Sequence, residues 1–207
     1  AALEGARLVF GSRYLLGIAG LLGFYELVSN IVDFQLAVIV EREVAGALER
    51  DAFFGMVGQI TGIASIAAQL FLTTYVLNRF GVKTALLFLP VVVLGGSIGF
   101  LVVPSLFFAA FMRVGDNALN YSINQSAREA LYTPTSQDAK YKAKAFIDMF
   151  VQRAAKVVAV GLNLGLTAVA AVAVRWLSLL SAAAIAGWIV VIRYLGDEFR
   201  ERSGEED

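Results

Sequence analysis

The sequence predicts an all-α membrane protein with six transmembrane helices. Hydrophobic residues make up 58% of the chain and charged residues 16%, and the mean hydropathy is +0.72. Soluble domains are instead about 45–50% apolar and about 25% charged. The apolar residues fall in runs of about 20, the length that a helix needs to cross a hydrocarbon core about 30 Å thick. We expect a cytoplasmic lead-in at 1–13, the six-helix bundle at 14–195 and a charged cytoplasmic tail or linker at 196–207.

The first span is expected at about 14–40, and its second half is polar on one face. Glu26, Asn30 and Asp33 lie on this face, together with Ser29. Acidic residues within a membrane span are costly unless they face a partner or water. The apolar run is too long for the core of a signal peptide. Because the chain does not begin with Met, we expect it to be part of a longer polypeptide.

The second and third spans are expected at about 52–77 and 84–103, and both are mostly apolar. Small residues let neighbouring helices approach closely in a membrane. We therefore expect the glycines of the second, third and fifth spans to be packing contacts. They are Gly55, Gly58, Gly62, Gly95, Gly96, Gly161 and Gly165.

The fourth span, at about 106–124, is polar on one side only. At about 100° per residue, its polar residues fall within roughly 140° of one helical face. A helix of this kind inside a membrane protein turns its polar side to the protein interior or to a water-filled cavity. The residues on this face are Arg113, Asp116, Asn117, Asn120, Tyr121 and Asn124.

The fifth span is expected at about 145–166, after a loop that carries Lys140, Lys142 and Lys144. It too has a polar side, so it is expected to face the same interior as the fourth span. The sixth span is expected at about 171–195. The polar residues of the fifth span are Asp148, Gln152, Arg153, Lys156 and Asn163.

The basic residues near the span ends predict the orientation, because cytoplasmic loops are enriched in Lys and Arg. Eleven lie on one side and three on the other, so we expect a multi-pass protein of the inner (cytoplasmic) membrane with both termini in the cytoplasm. The eleven are Arg7, Arg13, Arg79, Lys83, Arg128, Lys140, Lys142, Lys144, Arg193, Arg200 and Arg202. The three are Arg42, Arg50 and Arg175.

The composition also excludes several kinds of chemistry. The chain has no cysteine and no histidine, which removes thiol nucleophiles, disulfides, the usual zinc sites and histidine proton relays. No set of nucleophile and base or of metal ligands is apparent. We therefore expect no enzymatic activity, no catalytic residue, no metal and no cofactor. The 17 basic and 17 acidic residues balance, so the net charge itself indicates no charged partner. For a membrane protein of this kind we expect no nucleic acid as a partner.

The cytoplasmic turn between the second and third spans resembles a known signature. Its sequence, NRFGVK at 78–83, has Arg79, Gly81 and Lys83 in a short basic turn. It resembles the loop that links the second and third helices of a six-helix half in the major facilitator superfamily. Asn78 stands where that loop usually has an acidic residue.

Two longer segments resemble the ATP/ADP translocase family of plastids and obligate intracellular bacteria. That family has an Asn-x-Val-acid motif in its seventh helix, then a Tyr-x-Pro loop, a Lys-x-Lys-x-Lys-Ala-x-Ile-Asp run and a spaced Arg. Ala37 stands where the nucleotide exchangers usually have a basic residue. The matching residues here are Asn30, Val32, Asp33, Tyr132, Pro134, Lys140, Lys142, Lys144, Ala145, Ile147, Asp148 and Arg153.

The resemblance implies the C-terminal half of a twelve-helix carrier, built as two inverted three-helix repeats. It implies transport of ATP, ADP, another nucleotide or a phosphorylated metabolite. The implied partners are the lipid bilayer, this small anionic solute, and an N-terminal six-helix half on the same chain or a second copy. Relatives fused to soluble regulatory domains imply that such a domain could also follow this chain.

The candidate substrate-binding residues come from the polar faces of the first, fourth and fifth spans. Arg113, Arg153 and Lys156 could meet phosphate charge, while the asparagines could bond a base or sugar. The full set is Glu26, Asn30, Asp33, Arg113, Asp116, Asn117, Asn120, Asn124, Asp148, Arg153, Lys156 and Asn163.

Structural roles are open for several of these residues. Arg113 and Asp116, three apart, could neutralise each other on one helix. Glu26 and Asp33 could pair with Arg153 or Lys156 across the bundle. Asp148 could stabilise the start of the fifth helix, and the loop lysines could contact phospholipid.

An alternative function is also open. The bundle could be a membrane sensor or anchor that regulates, or is regulated by, a fused soluble domain and moves no solute.

The orientation can be tested directly because the chain has no native cysteine. A single cysteine at Gly46 should react with an impermeant thiol reagent added outside the cell, and one at Ser136 should not. Labelling of intact cells measures this, with permeabilised cells as the control for reactivity. The reverse pattern would overturn the orientation.

Overall fold

The computed structural model describes residues 2–169 and 173–204, and helices account for nearly all of them. The α-helices are α1 (Ala2–Gly11), α2 (Arg13–Glu43), α3 (Ala47–Ala67), α4 (Thr74–Val102), α5 (Leu106–Leu119), α6 (Gln125–Leu131), α7 (Gln137–Phe146), α8 (Gln152–Leu164) and α9 (Leu177–Ser203). Four π-helical turns, at Ala68–Thr73, Asn120–Asn124, Ile147–Val151 and Gly165–Val169, continue α3, α5, α7 and α8. A 3₁₀ turn, Val174–Trp176, precedes α9.

Three helical runs are long and apolar enough, by length and composition, to cross a membrane. They are Arg13–Glu43, Ala47–Val102 and Val174–Ser203. The second has 56 residues, which at 1.5 Å per residue is about 84 Å and far exceeds one crossing. It is interrupted at Gly81, whose φ of 75° is one that residues with a Cβ rarely adopt. The chain is thus an all-α membrane protein, as the sequence predicts.

Six spans remain a prediction, because two further helical runs are less apolar. One is continuous from Leu106 to Leu131 through α5 and α6, and the other from Gln137 to Val169 through α7 and α8. Both are long enough to cross a hydrocarbon core. Both carry the polar residues that lower their hydropathy, which are the residues of interest for function.

The helix α2 lies at the centre of the bundle. Sixteen of its 31 residues are buried, and it packs against α5, α8 and α9. By contrast, Val57 is the one buried residue of the 21 in α3. The central position of α2 means that most polar side chains on it lie against other helices, and several of them pair across the bundle.

Among the glycines expected to be packing contacts, Gly96 alone makes a close contact within the part of the chain that the structure describes, and Gly99 beside it makes another. A Cβ at Gly96 would overlap Met112, and one at Gly99 would overlap the Phe108 ring. At the other glycines of these spans a Cβ would meet nothing within 4 Å inside this chain, so packing contacts at them stay a prediction. They are Gly55, Gly58, Gly62, Gly95, Gly161 and Gly165.

The segments expected in the cytoplasm differ in structure from the expectation. The stretch with Lys140, Lys142 and Lys144 was expected as a loop but forms α7, since its alternating Lys and Ala residues are good helix formers. The helix α9 continues past 195 to Ser203 and ends at Gly204 in the left-handed conformation. Residues 170–172 and 205–207, which include part of the expected sixth span and tail, lie outside the described residues.

A buried hydrogen bond joins the start of α2 to the end of α6. The Tyr14 hydroxyl, whose residue is 1% exposed, donates to the Leu131 carbonyl oxygen at 2.6 Å. The Arg202 guanidinium of α9 lies 4.7 Å from the centre of the Tyr14 ring. These contacts hold the ends of three helices together.

Replacing Tyr14 with Phe should destabilise the protein by about 1–3 kcal/mol, because it leaves the buried Leu131 carbonyl unpaired. The matched control is Tyr121→Phe, since Tyr121 is 64% exposed and should tolerate loss of its hydroxyl. Thermal unfolding in detergent measures both. Equal melting temperatures for the two variants would contradict this role of Tyr14.

Candidate functional site

The polar residues of α2 and α5 meet in a direct ion pair. The Arg113 guanidinium on α5 contacts the Asp33 carboxylate on α2, and the two side chains are 31% and 45% exposed. With its amide oxygen turned toward Arg113, Asn117 accepts hydrogen bonds from Nε at 2.9 Å and from Nη1 at 3.2 Å. Arg113 is therefore held by one charged and one neutral partner while keeping part of its surface open.

A polar cavity of about 380 Å³ lies beside this ion pair. Asp33, Arg113 and Asn117 line it on one side, and α3 forms the other. The α3 side combines apolar and weakly polar residues, which are Phe54, Val57, Gly58 and Thr61. The Arg113 guanidinium thus borders a cavity that is most polar on the α2 and α5 side.

Asp116 lies one turn along α5 but faces a different partner. It is 1% exposed, and its Oδ2 accepts a hydrogen bond from Ser29 Oγ on α2 at 2.6 Å. The structure pairs Arg113 with Asp33 rather than with Asp116, so the alternative of a neutralising Arg113–Asp116 pair is wrong.

A second ion pair joins α2 to α8. Lys156 Nζ lies 3.5 Å from Glu26 Oε2, which confirms one of the cross-bundle pairs considered from the sequence. Asn163 of α8 donates from Nδ2 to the Asn30 carbonyl oxygen at 3.3 Å. The Asn30 amide in turn donates to the Glu26 carbonyl oxygen at 2.7 Å. The polar faces of α5 and α8 are thus both joined to the polar face of α2.

Sequence reasoning missed Arg128, which extends the polar face of α5 into α6. Its Nη2 donates to Asn120 Oδ1 at 3.0 Å, and Asn124 Nδ2 donates to the same oxygen at 3.1 Å. Its guanidinium carbon lies 5.6 Å from the centre of the Tyr25 ring on α2. Asn120, Asn124 and Arg128 are spaced four apart, so the helical period could have identified it. It was instead counted as a loop residue.

Arg128 lines a second polar cavity, of about 390 Å³. Asp148 and Gln152 line it from the run that contains α7 and α8. Lys144 also lines it and forms an ion pair with Glu129. The cavity therefore combines two basic groups with two acidic ones, next to polar amides.

Two predicted residues stand apart from the ion pairs. Arg153 is exposed on α8 and has no ion-pair partner within 2–169 and 173–204. Asp148 is exposed and lies within the helical run that begins at Gln137, eleven residues after its start, so the alternative that it stabilises a helix start is wrong. Within the described residues, no group of three or more acidic side chains is placed to hold a metal ion.

The chain matches a known family and several of its characterised members. A sequence model of the TLC ATP/ADP transporter family matches residues 2–114. ADP,ATP carrier protein 2 of Chlamydia trachomatis is 25% identical, over 95% of this chain and 41% of that protein. ADP,ATP carrier protein 1 of Chlamydia muridarum is 29% identical, over 70% of this chain and 31% of that protein.

A plant protein is similar at the same level. Chloroplastic ADP,ATP carrier protein 1 of Arabidopsis thaliana is 24% identical, over 71% of this chain and 27% of that protein. The chain thus spans between 27% and 41% of the length of these three relatives. No solved structure is significantly similar to it. Since the family match covers residues 2–114, more than half of the chain, the chain belongs to the TLC ATP/ADP transporter family.

Proposed function

We propose that this chain is the C-terminal half of a nucleotide carrier and binds the phosphate groups of ATP, ADP or a related phosphorylated metabolite. Family membership supports transport, and the names of the relatives are those of ADP,ATP carriers. The observation that carries the proposal is the cation arrangement around α2. Arg113, Lys156 and Arg128 reach it from three helical segments. Arg113 and Arg128 line polar cavities, and the Lys156 side chain is 55% exposed.

Lys156 and Arg113 are suited to exchanging their carboxylate partners for a phosphate group. The Lys156 side chain is 55% exposed and its contact with Glu26 is 3.5 Å long, so a stronger acceptor can displace that carboxylate. Arg113 borders a cavity with room for a phosphate group. Arginine binds phosphate through two parallel hydrogen bonds, which are about twice as strong as neutral ones.

Arg128 differs from the other two because its described contacts are neutral. It touches the Asn120 amide and the Tyr25 ring, so its charge is available to an anion. The Asn120 and Asn124 amides next to it could bond a sugar or a base. In this proposal Arg128 therefore joins the candidate substrate-binding residues. Asp148 lines the Arg128 cavity, and Arg153 is exposed on α8 outside both polar cavities.

A partner half would cover the exposed sides of α3 and α8. On α3, Ile63 and Ile66 are 71% and 63% exposed, and on α8 Val157 is 73% exposed. The open glycines of α3 lie on this surface, where they would allow close approach of a partner helix. The relatives are more than twice as long as the matched chain, which favours a second six-helix half on the same polypeptide over a second copy.

In this proposal the carrier has the major-facilitator arrangement, with two inverted three-helix repeats in this half. It lies in the inner membrane with both termini on the cytoplasmic side. The distribution of Lys and Arg residues supports that orientation. The turn at Gly81, between Arg79 and Lys83, supports the superfamily assignment because it joins two spans sharply at the position of the signature loop.

Neutralising a phosphate-binding cation should weaken nucleotide binding. Arg113→Gln and Arg128→Gln should each cost about 1.5–3 kcal/mol, roughly ten- to a hundredfold in affinity, because a charge-assisted hydrogen bond is lost. Lys140→Gln removes the same charge from α7, outside both polar cavities, and is the matched control. Binding of ATP and ADP to the purified full-length protein measures the effect.

Three results separate the interpretations of this experiment. Weaker binding by the two arginine variants but not by Lys140→Gln supports the proposed site. Unchanged affinity after separate neutralisation of Arg113, Arg128 and Lys156 would show that they are structural pairs and would overturn it. Nucleotide binding without flux in vesicles would favour the sensor or anchor.

A further inference from the structure

The bundle also has an apolar groove, separate from the two polar cavities. It has a volume of about 430 Å³ and lies between α1 and α2 on one side and the run through α7 and α8 on the other. Every described residue that lines it is apolar or a glycine. Val9 and Ala19 are buried in its lining, whereas Phe10 and Leu16 are 71% and 44% exposed where it opens to the surface. A groove of this composition favours hydrocarbon over water.

The groove is about as long as one leaflet of a bilayer is thick. On α2 it extends from Leu16 to Leu27, a rise of about 16 Å at about 1.5 Å per residue. Half of a hydrocarbon core about 30 Å thick is about 15 Å. The groove therefore has the length that one acyl chain of a phospholipid covers within its own leaflet.

A basic residue lies at one end of the groove. Arg13 precedes Leu16 by three residues and Gly20 by seven, so it lies on the groove side of α2 and one turn beyond the end of the groove. It is exposed, and it forms no ion pair with any residue of 2–169 or 173–204. Long basic side chains near the end of a span extend to the polar membrane surface. The Arg13 guanidinium can there bind a phosphate through two parallel hydrogen bonds.

The helix α1 indicates that this end of the groove lies at the membrane surface. Leu3 and Phe10, seven residues apart on one face of α1, are 88% and 71% exposed, and Arg7 beside them is exposed too. Exposed Leu and Phe next to a basic residue are typical of a helix that lies in the membrane interface. The Phe10 ring meets the Phe146 ring edge-on, with 6.2 Å between their centres. These rings lie at the same end of the groove as Arg13.

The groove lies on a different side of α8 from the surface proposed for the partner half. Ala155 and Val158 line the groove and are roughly 60° apart at about 100° per residue, whereas Val157 is about 100° or more from each of them. An apolar helix of a partner would also leave Arg13 without a counter-charge. A phospholipid supplies hydrocarbon and a negative charge in one molecule, and it therefore fits both features.

We propose that the groove binds an anionic phospholipid, with one acyl chain between α2 and α8 and the phosphate at Arg13. The lipid comes from the leaflet that meets α1. In the orientation expected from the basic residues this is the cytoplasmic leaflet, where the membrane surface is negative. The site is separate from the ion pairs of Arg113 and Lys156 and does not depend on which solute the protein carries.

The test uses the full-length protein in phosphatidylcholine vesicles that contain a small fraction of phosphatidylglycerol with a photoreactive acyl chain. Mass spectrometry identifies the labelled peptides. Label should appear in residues 16–27 and 151–158, which line the groove. It should be about fivefold stronger than with photoreactive phosphatidylcholine at the same fraction, which corresponds to about 1 kcal/mol for one basic residue at an anionic surface.

Two variants test the two parts of the site. Arg13→Gln should lower the labelling by phosphatidylglycerol to the level of phosphatidylcholine. Its matched control is Arg79→Gln, which removes an exposed cation that does not line the groove. Gly23→Leu should lower the labelling severalfold by filling the groove, and the protein should still fold because a Cβ there meets Val151 at an ordinary 3.9 Å. Its control is Gly95→Leu, at an open position outside the groove.

Two results would overturn the inference. Absence of label from both groove segments of the wild-type protein would show that another occupant, such as a helix of the partner half, covers the groove. Equal labelling by the two lipids, unchanged in Arg13→Gln, would show only the contact that any membrane protein makes with lipid. The melting temperature of each variant in detergent checks that it is folded.

Discussion

The ion pairs of Asp33 with Arg113 and of Glu26 with Lys156 are the interactions on which the polar interior depends. Both acids lie on α2, and their partners lie on α5 and α8, so one central helix joins the two other polar helices. Charges within a membrane are tolerated when they are paired or face water. The same pairs therefore hold the bundle together, leave Arg113 beside a polar cavity and leave the Lys156 side chain 55% exposed.

The backbone of the polar helices is irregular where the polar groups cluster. The π turn at Asn120–Asn124 lies between Asp116 and Arg128, and the turn at Ile147–Val151 contains Asp148. Turns of this kind inside α-helices are frequent at functional sites, because the extra residue changes the direction of the side chains that follow. Here the first turn brings Arg128 onto the α2 side, against Tyr25. It thereby links the two ends of the polar face.

The helical period predicted several of the residues that face inward, but not how they pair. Asp116, Asn120 and Asn124 are buried as expected, whereas the prediction is wrong for Tyr121, which was placed on the same face and is 64% exposed. The partner of Arg113 was not predictable, because Asp33 is 80 residues away in sequence and Asp116 is three. Arg128 was missed because loop assignment was based on hydropathy, and a polar helical segment has the same hydropathy as a loop. The partner of the α3 glycines was not predictable either, because the sequence does not say which helix faces stay open within this chain.

An experimental structure of the full-length carrier with bound ATP would test the central claim most directly. The account predicts that the phosphates contact the Arg113 and Lys156 side chains between α2, α5 and α8. It also predicts that Asp33 and Glu26 have released these cations and that Asp116 still contacts Ser29. A nucleotide bound elsewhere, with both ion pairs intact, would contradict it.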